Sequence, residues 1–197
     1  MELFKKMFGG FNARHSPPEK SPWLPSVELM NEEQFWSIIE EVKESARNDY
    51  ERQYQNLAER LHNLNPQQII LFANRFRSFR GQSNNWKLWG AIYIIQGGCD
   101  EYSFKIFREW VIGQGEDFYY RVVKDPETLA ELEKEFIEET SEFEGLELIS
   151  SKVFKELTGQ EMPYLFQEGH DTVGNKWEDG ELTYLFPKIY TKYPHNI

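Results

Sequence analysis

From Asn31 onward the apolar residues recur at intervals of three and four. Phe35, Ile38, Ile39, Val42 and Ala46 share one face, and Glu32 and Glu33 sit where a helix N-terminus favours negative charge. The spacing predicts a helix with one buried side. A second helical stretch, from about residue 49 to 64, stops at Asn65-Pro66. There Asn suits an N-cap, Pro suits the first helical position, and Gln68 completes a capping-box spacing. A third helix therefore starts at Pro66. It carries Ile69, Phe72, Phe76 and Phe79 along one face, with Arg75, Arg77 and Arg80 elsewhere.

The stretch from Trp86 to Ile95 is apolar nearly all round, which places it at the centre of the fold. Gly90 inside it lowers helix propensity by about 1 kcal/mol relative to Ala, so a neighbouring ring or backbone is expected to pass close by. Gly97-Gly98 supplies a left-handed helix end. Asp100 then caps a helix that turns Phe104, Phe107, Trp110 and Val111 inward and closes at Gly113 and Gly115. A short helix follows over about 116–123, and Asp125-Pro126 repeats the cap-plus-proline start. Ser141 and Glu144 have capping-box spacing for a helix running to about residue 158, where Gly159 stops it. Beyond Met162-Pro163 the pattern gives way to a polar connection with Gly169, Gly174 and Gly180. Trp177 and the aromatic stretch 185–194 are expected to fold back onto the body. The reading is a mainly α, compact multi-helix single domain over 30–197, built round a central buried helix pair. Residues 1–29, with Gly9-Gly10 and Pro17, Pro18 and Pro25, read as a flexible tail or linker.

Charge changes this picture in one place. The chain of 197 residues has a net charge of −11, and nine of those eleven charges come from residues 125–147, which hold ten acidic side chains and one basic. Such a block reads first as a solvated helix face; as a functional feature it attracts a basic partner and repels nucleic acid. Glu131, Glu135 and Glu138 are its candidate partner-binding residues. The arginines of the third helix are expected to pair internally with the protein's own carboxylates. One cysteine, Cys99, excludes an intramolecular disulfide and suits a reducing, cytoplasmic setting. No apolar run approaches the roughly 20 residues that span a bilayer. The N-terminus lacks the apolar stretch of a secretory signal; Leu3, Phe4, Met7, Phe8 and Phe11 beside Lys5 and Lys6 offer at most weak docking to a surface.

Chemistry has few footholds. Cys99, near a helix start, is the one candidate nucleophile, but Asp100 and Glu101 beside it oppose ionisation. The histidines at 15, 62, 170 and 195 have no metal-ligand spacing, so neither a metal nor a cofactor is expected. Glu168, His170, Asp171, Glu178 and Asp179 are the one crowd of N and O donors, and surface polarity accounts for them. No phosphate loop, nucleophile elbow or dinucleotide fingerprint is present.

One stretch does look dictated position by position: Trp86, Leu88, Trp89, Gly90, Ala91, Tyr93, Gly97, Gly98, Cys99, Asp100, Phe104, Phe107, Arg108, Trp110 and Gly115. It resembles the core of an uncharacterised bacterial family, a domain of unknown function with a pattern similar to W-x-L-W-G-A-A-Y-x-x-x-G-G-C-S-D-D-x-F-x-x-F-R-x-W-L-x-x-x-G. The likeness extends more loosely from Met30 to Lys188. This chain departs from it after the cysteine, with Asp100-Glu101-Tyr102-Ser103 where the family more often has Ser-Asp-Asp. The resemblance implies a helical fold and bacterial origin, and carries no activity with it.

Two functional expectations follow. The first is a non-enzymatic interaction module that engages a basic protein, a toxin-neutralising protein being one form. The alternative is an enzyme or small-ligand binder with its pocket at the Gly98–Glu101 turn, drawing on Trp89, Tyr93, Gly98, Cys99, Asp100, Glu101, Arg108 and Trp110.

Overall fold

The computed structural model describes residues 28–47, 49–133, 145–163, 166–169 and 171–194. Among these the regular structure is helical, with a single parallel bridge between Asn85 and Val173 in place of any strand. The order is α1 (Glu32–Ala46), α2 (Tyr50–His62), α3 (Pro66–Gln82), α4 (Trp86–Gln96), α5 (Glu101–Gly113) and α6 (Glu116–Lys124). A 3-10 turn (Pro126–Glu131), α7 (Glu147–Thr158), a 3-10 turn (Asp179–Glu181), α8 (Leu182–Leu185) and α9 (Pro187–Lys192) complete it.

Caps set most of these boundaries. Asn31, Asp49, Asn65, Asn85 and Asp100 each accept a backbone N–H from the first turn of the helix they precede. Asn65 and Gln68 form the reciprocal capping box. Gly97, at φ 68°, ends α4 in the left-handed conformation. Gly115 starts α6 without a side chain of its own. Glu40 on α1 takes that role, accepting from Glu116 N–H at 2.9 Å, and a Cβ on Gly115 would collide with its carboxylate.

One predicted start differs. The helix expected from Ser141 begins at Glu147, with Leu146 as the residue that precedes it; Ser141 and Glu144 lie outside the described residues. The Glu147 N–H is instead accepted by the Glu109 carboxylate of α5 at 3.3 Å, so this helix is capped from across the fold. Asp125-Pro126 is the cap-plus-proline start expected, and what it opens is a 3-10 turn, with Asp125 accepting from Glu127 N–H.

The core is a set of meshed aromatic rings. Phe35 and Trp36 on α1 meet Phe72, Phe76 and Phe79 on α3, and Tyr119 on α6 closes the group with its hydroxyl donated to Phe79 O at 2.6 Å. Removing such rings from water supplies about 1.5–3 kcal/mol each. The expected central pair, α4 and α5, is buried along most of its length, and α3 is equally central.

Residues 171–194 fold back as predicted. The Trp86 N–H donates to Val173 O, Trp177 donates to Trp86 O, and Leu182, Phe186, Ile189 and Tyr193 are buried. At the other end Met30 N–H donates to Leu71 O and Arg75 bonds Met30 O. Residues 1–27, including the apolar and basic N-terminal positions, lie outside the described residues. No helix among those described is long and apolar enough to cross a membrane.

Candidate functional site

Arg77 and Arg80 stand one turn apart on α3, and both are buried. A buried guanidinium needs carboxylates, and α5, α7 and the segment 166–169 bring them. Arg77 pairs with Glu147; Arg80 pairs with Glu109, Glu147 and Glu168. Lys105 approaches Glu109 at 3.0 Å and Glu147 at 3.7 Å. Burial alone lowers the affinity of Arg80 for its proton, but its three carboxylates outweigh that and raise it. For Glu147 burial pushes upward, while Arg80 and Arg77 together hold the carboxyl below its ordinary value. The α3 arginines thus pair internally, Arg75 with the more exposed Glu32.

The network walls one side of a cavity of about 800 Å³. Arg77, Arg80 and Asn84 line it from α3 and its end, Glu101, Tyr102, Lys105 and Arg108 from α5, Glu147 from α7, and Phe166–Gly169 from the connection. The volume lies within the range of small-molecule sites, but the wall is far more charged than the apolar norm. Arg108 is buried over the Phe104 ring, 4.7 Å from its centroid, and donates to Arg80 O at 2.9 Å. Burial lowers its pKa, with Glu168 opposing and Arg80 adding to the effect. It remains a cation at neutral pH.

Of the eight pocket residues expected from the sequence, Asp100, Glu101 and Arg108 meet at this cavity. The other five serve elsewhere. Trp89 stacks between Trp86 and Phe104 and donates to Cys99 O; Tyr93 rests against Trp177; Gly98 forms the turn after α4 at φ 127°. Trp110 is buried, with its indole N–H donated to Tyr50 at 3.0 Å. Cys99 lies outside the lining, half-buried, with its Sγ 3.6 Å from Asp100 O. Burial, then the Asp100 charge, push its thiol up to about 12 despite Arg108. Native Cys99 is therefore expected to react with iodoacetamide at pH 8 at least about a hundredfold more slowly than in denaturant, because the thiolate is the nucleophile. Equal rates by mass spectrometry would show an ionised thiol.

Glu131 is exposed at the end of the first 3-10 turn, while Glu135 and Glu138 lie outside the described residues, as does His170. Among the described residues no group of three or more His, Cys, Asp or Glu side chains could hold a metal. Sequence reasoning missed Arg77, Arg80, Lys105, Glu147 and Glu168 as parts of one site. A signal was present in the spacing: Glu101, Lys105 and Arg108 share one face of α5, as Arg77, Arg80 and Asn84 share one end of α3.

Fold and site together define an all-helical domain, among its described residues, whose buried ion network walls a charged cleft. The chain belongs to the family described as protein of unknown function (DUF4240), whose model matches residues 30–156. That span holds α1 to α6 and most of α7; Glu168, Trp177 and Phe186 lie beyond it. No curated protein and no solved structure matches the chain.

Proposed function

We propose that this domain binds a small polar molecule in the cavity between α3, α5, α7 and residues 166–169. The observation that carries the reading is the cavity wall: four separate segments converge charged side chains on about 800 Å³ of space, and their mutual ion pairs hold that wall in place before any ligand arrives. The site is displaced from the Gly98–Glu101 turn towards Arg80, touching the turn at Asp100 and Glu101. Binding is the proposed role; no catalytic group is assigned. The lone cysteine suits a reducing, cytoplasmic setting.

Tyr102 offers a clean test because it lines the cavity yet is 69% exposed, so its removal leaves the core alone. In native mass spectrometry of the protein purified from its own host, wild type is expected to retain a small molecule. Tyr102→Ala is expected to lose at least about ninety per cent of it, with a Tm shift equivalent to less than about 0.5 kcal/mol. Absence of any retained small molecule, or equal retention by both, would count against the reading.

A second reading, a module that engages a basic protein, draws on the acidic block at 125–147 and the exposed Glu131. In the same experiment a basic protein retained by wild type, and lost on reversing the charge of Glu131, Glu135 and Glu138, would favour it.

A further inference from the structure

A second cavity, of about 650 Å³, opens where the start of α4, the end of α6 with the turn after it, and residues 173–186 meet. Its size falls in the range of small-molecule sites, and unlike the charged cleft it has the apolar wall usual for them. Val123, Pro126, Val173, Trp177, Leu185 and Phe186 supply that wall. Val173 is 68% exposed and Leu185 51%, and both stand at this one place. The Val173 backbone is pinned on both sides, its N–H donated to Asn84 O and its carbonyl accepting from Trp86 N–H. Trp177 is held by its N–H on Trp86 O and by its close approach to Gly90, which Phe186 shares. The wall therefore stands before any ligand arrives, and little ordering opposes binding.

The charges around this cavity balance. Its lining holds three cations, Lys87, Lys124 and Lys176, and three carboxylates, Asp125, Glu127 and Glu181. Each carboxylate already accepts a backbone N–H: that of Glu127 on Asp125, that of Lys188 on Glu127 and that of Glu178 on Glu181. Lys176 lies over the Trp86 ring. Among the described residues, no buried side-chain polar atom that lacks a partner belongs to this lining. Neither net charge nor an idle buried donor calls for a charged ligand, and what is left uncovered is apolar surface. We propose that this cavity binds a small neutral, mainly apolar molecule, seated against Val173, Trp177 and Leu185. It is a second site, independent of the polar-molecule reading of the first.

The test titrates indole into the full-length wild-type chain by calorimetry. Saturable binding with a negative heat-capacity change is expected, the mark of apolar surface leaving water. Indole-3-acetate and tryptamine carry the same ring with a negative or a positive charge, and each is expected to bind no more tightly than indole. Leu185→Asp places a carboxylate in the lining at a half-exposed position, and is expected to weaken indole at least about tenfold with Tm unchanged. Leu157→Asp, at an exposed leucine of α7 outside the lining, is expected to leave the affinity as it is. Val173→Asp repeats the test should Leu185→Asp fail to fold. Binding that Leu185→Asp and Val173→Asp both leave intact, a preference of about tenfold for either charged analogue, or no saturable binding overturns the proposal. In the last case, a wild-type dimer that Leu185→Asp disperses would show that a second copy of the chain covers these side chains instead.

Discussion

Replacing Arg80 with methionine is expected to lower the unfolding free energy at pH 7 by about 3–5 kcal/mol, the usual consequence of removing one partner from a buried ion network. Methionine keeps much of the aliphatic volume, so the loss is electrostatic. Glu109, fully buried, keeps Lys105 alone as a cation, and Glu147 keeps Arg77 and a distant Lys105. The pH dependence identifies the cause. In wild type the Glu147 carboxyl is held below its ordinary value, so its contribution is complete above the unfolded pKa of about 4.3 and disappears as pH falls through the lower folded value. In the variant, burial of Glu147 is less compensated and raises its carboxyl pKa. That penalty is greatest at pH 7 and diminishes as Glu147 takes up its proton. Urea unfolding should therefore show a smaller difference between variant and wild type at pH 5 than at pH 7. A difference independent of pH would mean that packing, not charge, sets the loss. Adding Glu109→Met to Arg80→Met is expected to recover part of it, because the stranded charge goes too.

The helices were legible and the site was not, for one physical reason. A helix boundary is written locally: Asn65, Pro66 and Gln68 specify a start within four positions, and Gly97 specifies a stop at one. The cavity wall is written across the chain. Arg80 meets Glu109, Glu147 and Glu168, whose separations from it in sequence are 29, 67 and 88 residues. No local pattern ties those positions together. The sequence supported internal pairing for the third-helix arginines because so many carboxylates were available, but it could not choose among them. The single-stripe reading of α3 also hid its role, since Arg77 and Arg80 are buried by partners rather than by apolar character. Likewise Trp89, Tyr93 and Trp110 sit at spacings that serve a pocket wall or a core equally well. Their ring neighbours Phe104, Trp177 and Phe107 decide for packing.

Replacing Gly90 with leucine is expected to detach residues 177–193 from α4, at a loss on the order of 3 kcal/mol or more. The glycine was conspicuous in the sequence as a poor helix former in the most apolar helix, and the structure supplies its reason. A Cβ there would lie 2.8 Å from the Phe186 ring and 2.9 Å from the Trp177 indole nitrogen. Those rings cannot give locally: Trp177 is held by its N–H on Trp86 O at 3.0 Å, and Phe186 is buried between the ends of α8 and α9. Alanine gains about 1 kcal/mol of helix propensity and loses about 1–3 kcal/mol to overpacking, so its net effect is modest. Leucine adds a side chain that must occupy the place of Phe186. The burial of that ring, about 1.5–3 kcal/mol, and the Trp177 hydrogen bond, about 1 kcal/mol, are then lost together. Hydrogen exchange should show α9 and the backbone around Trp177 losing protection, while α1 to α3 keep theirs. Retained protection of α9 in the leucine variant would mean that the segment can shift to admit the side chain, and that close approach does not account for the glycine.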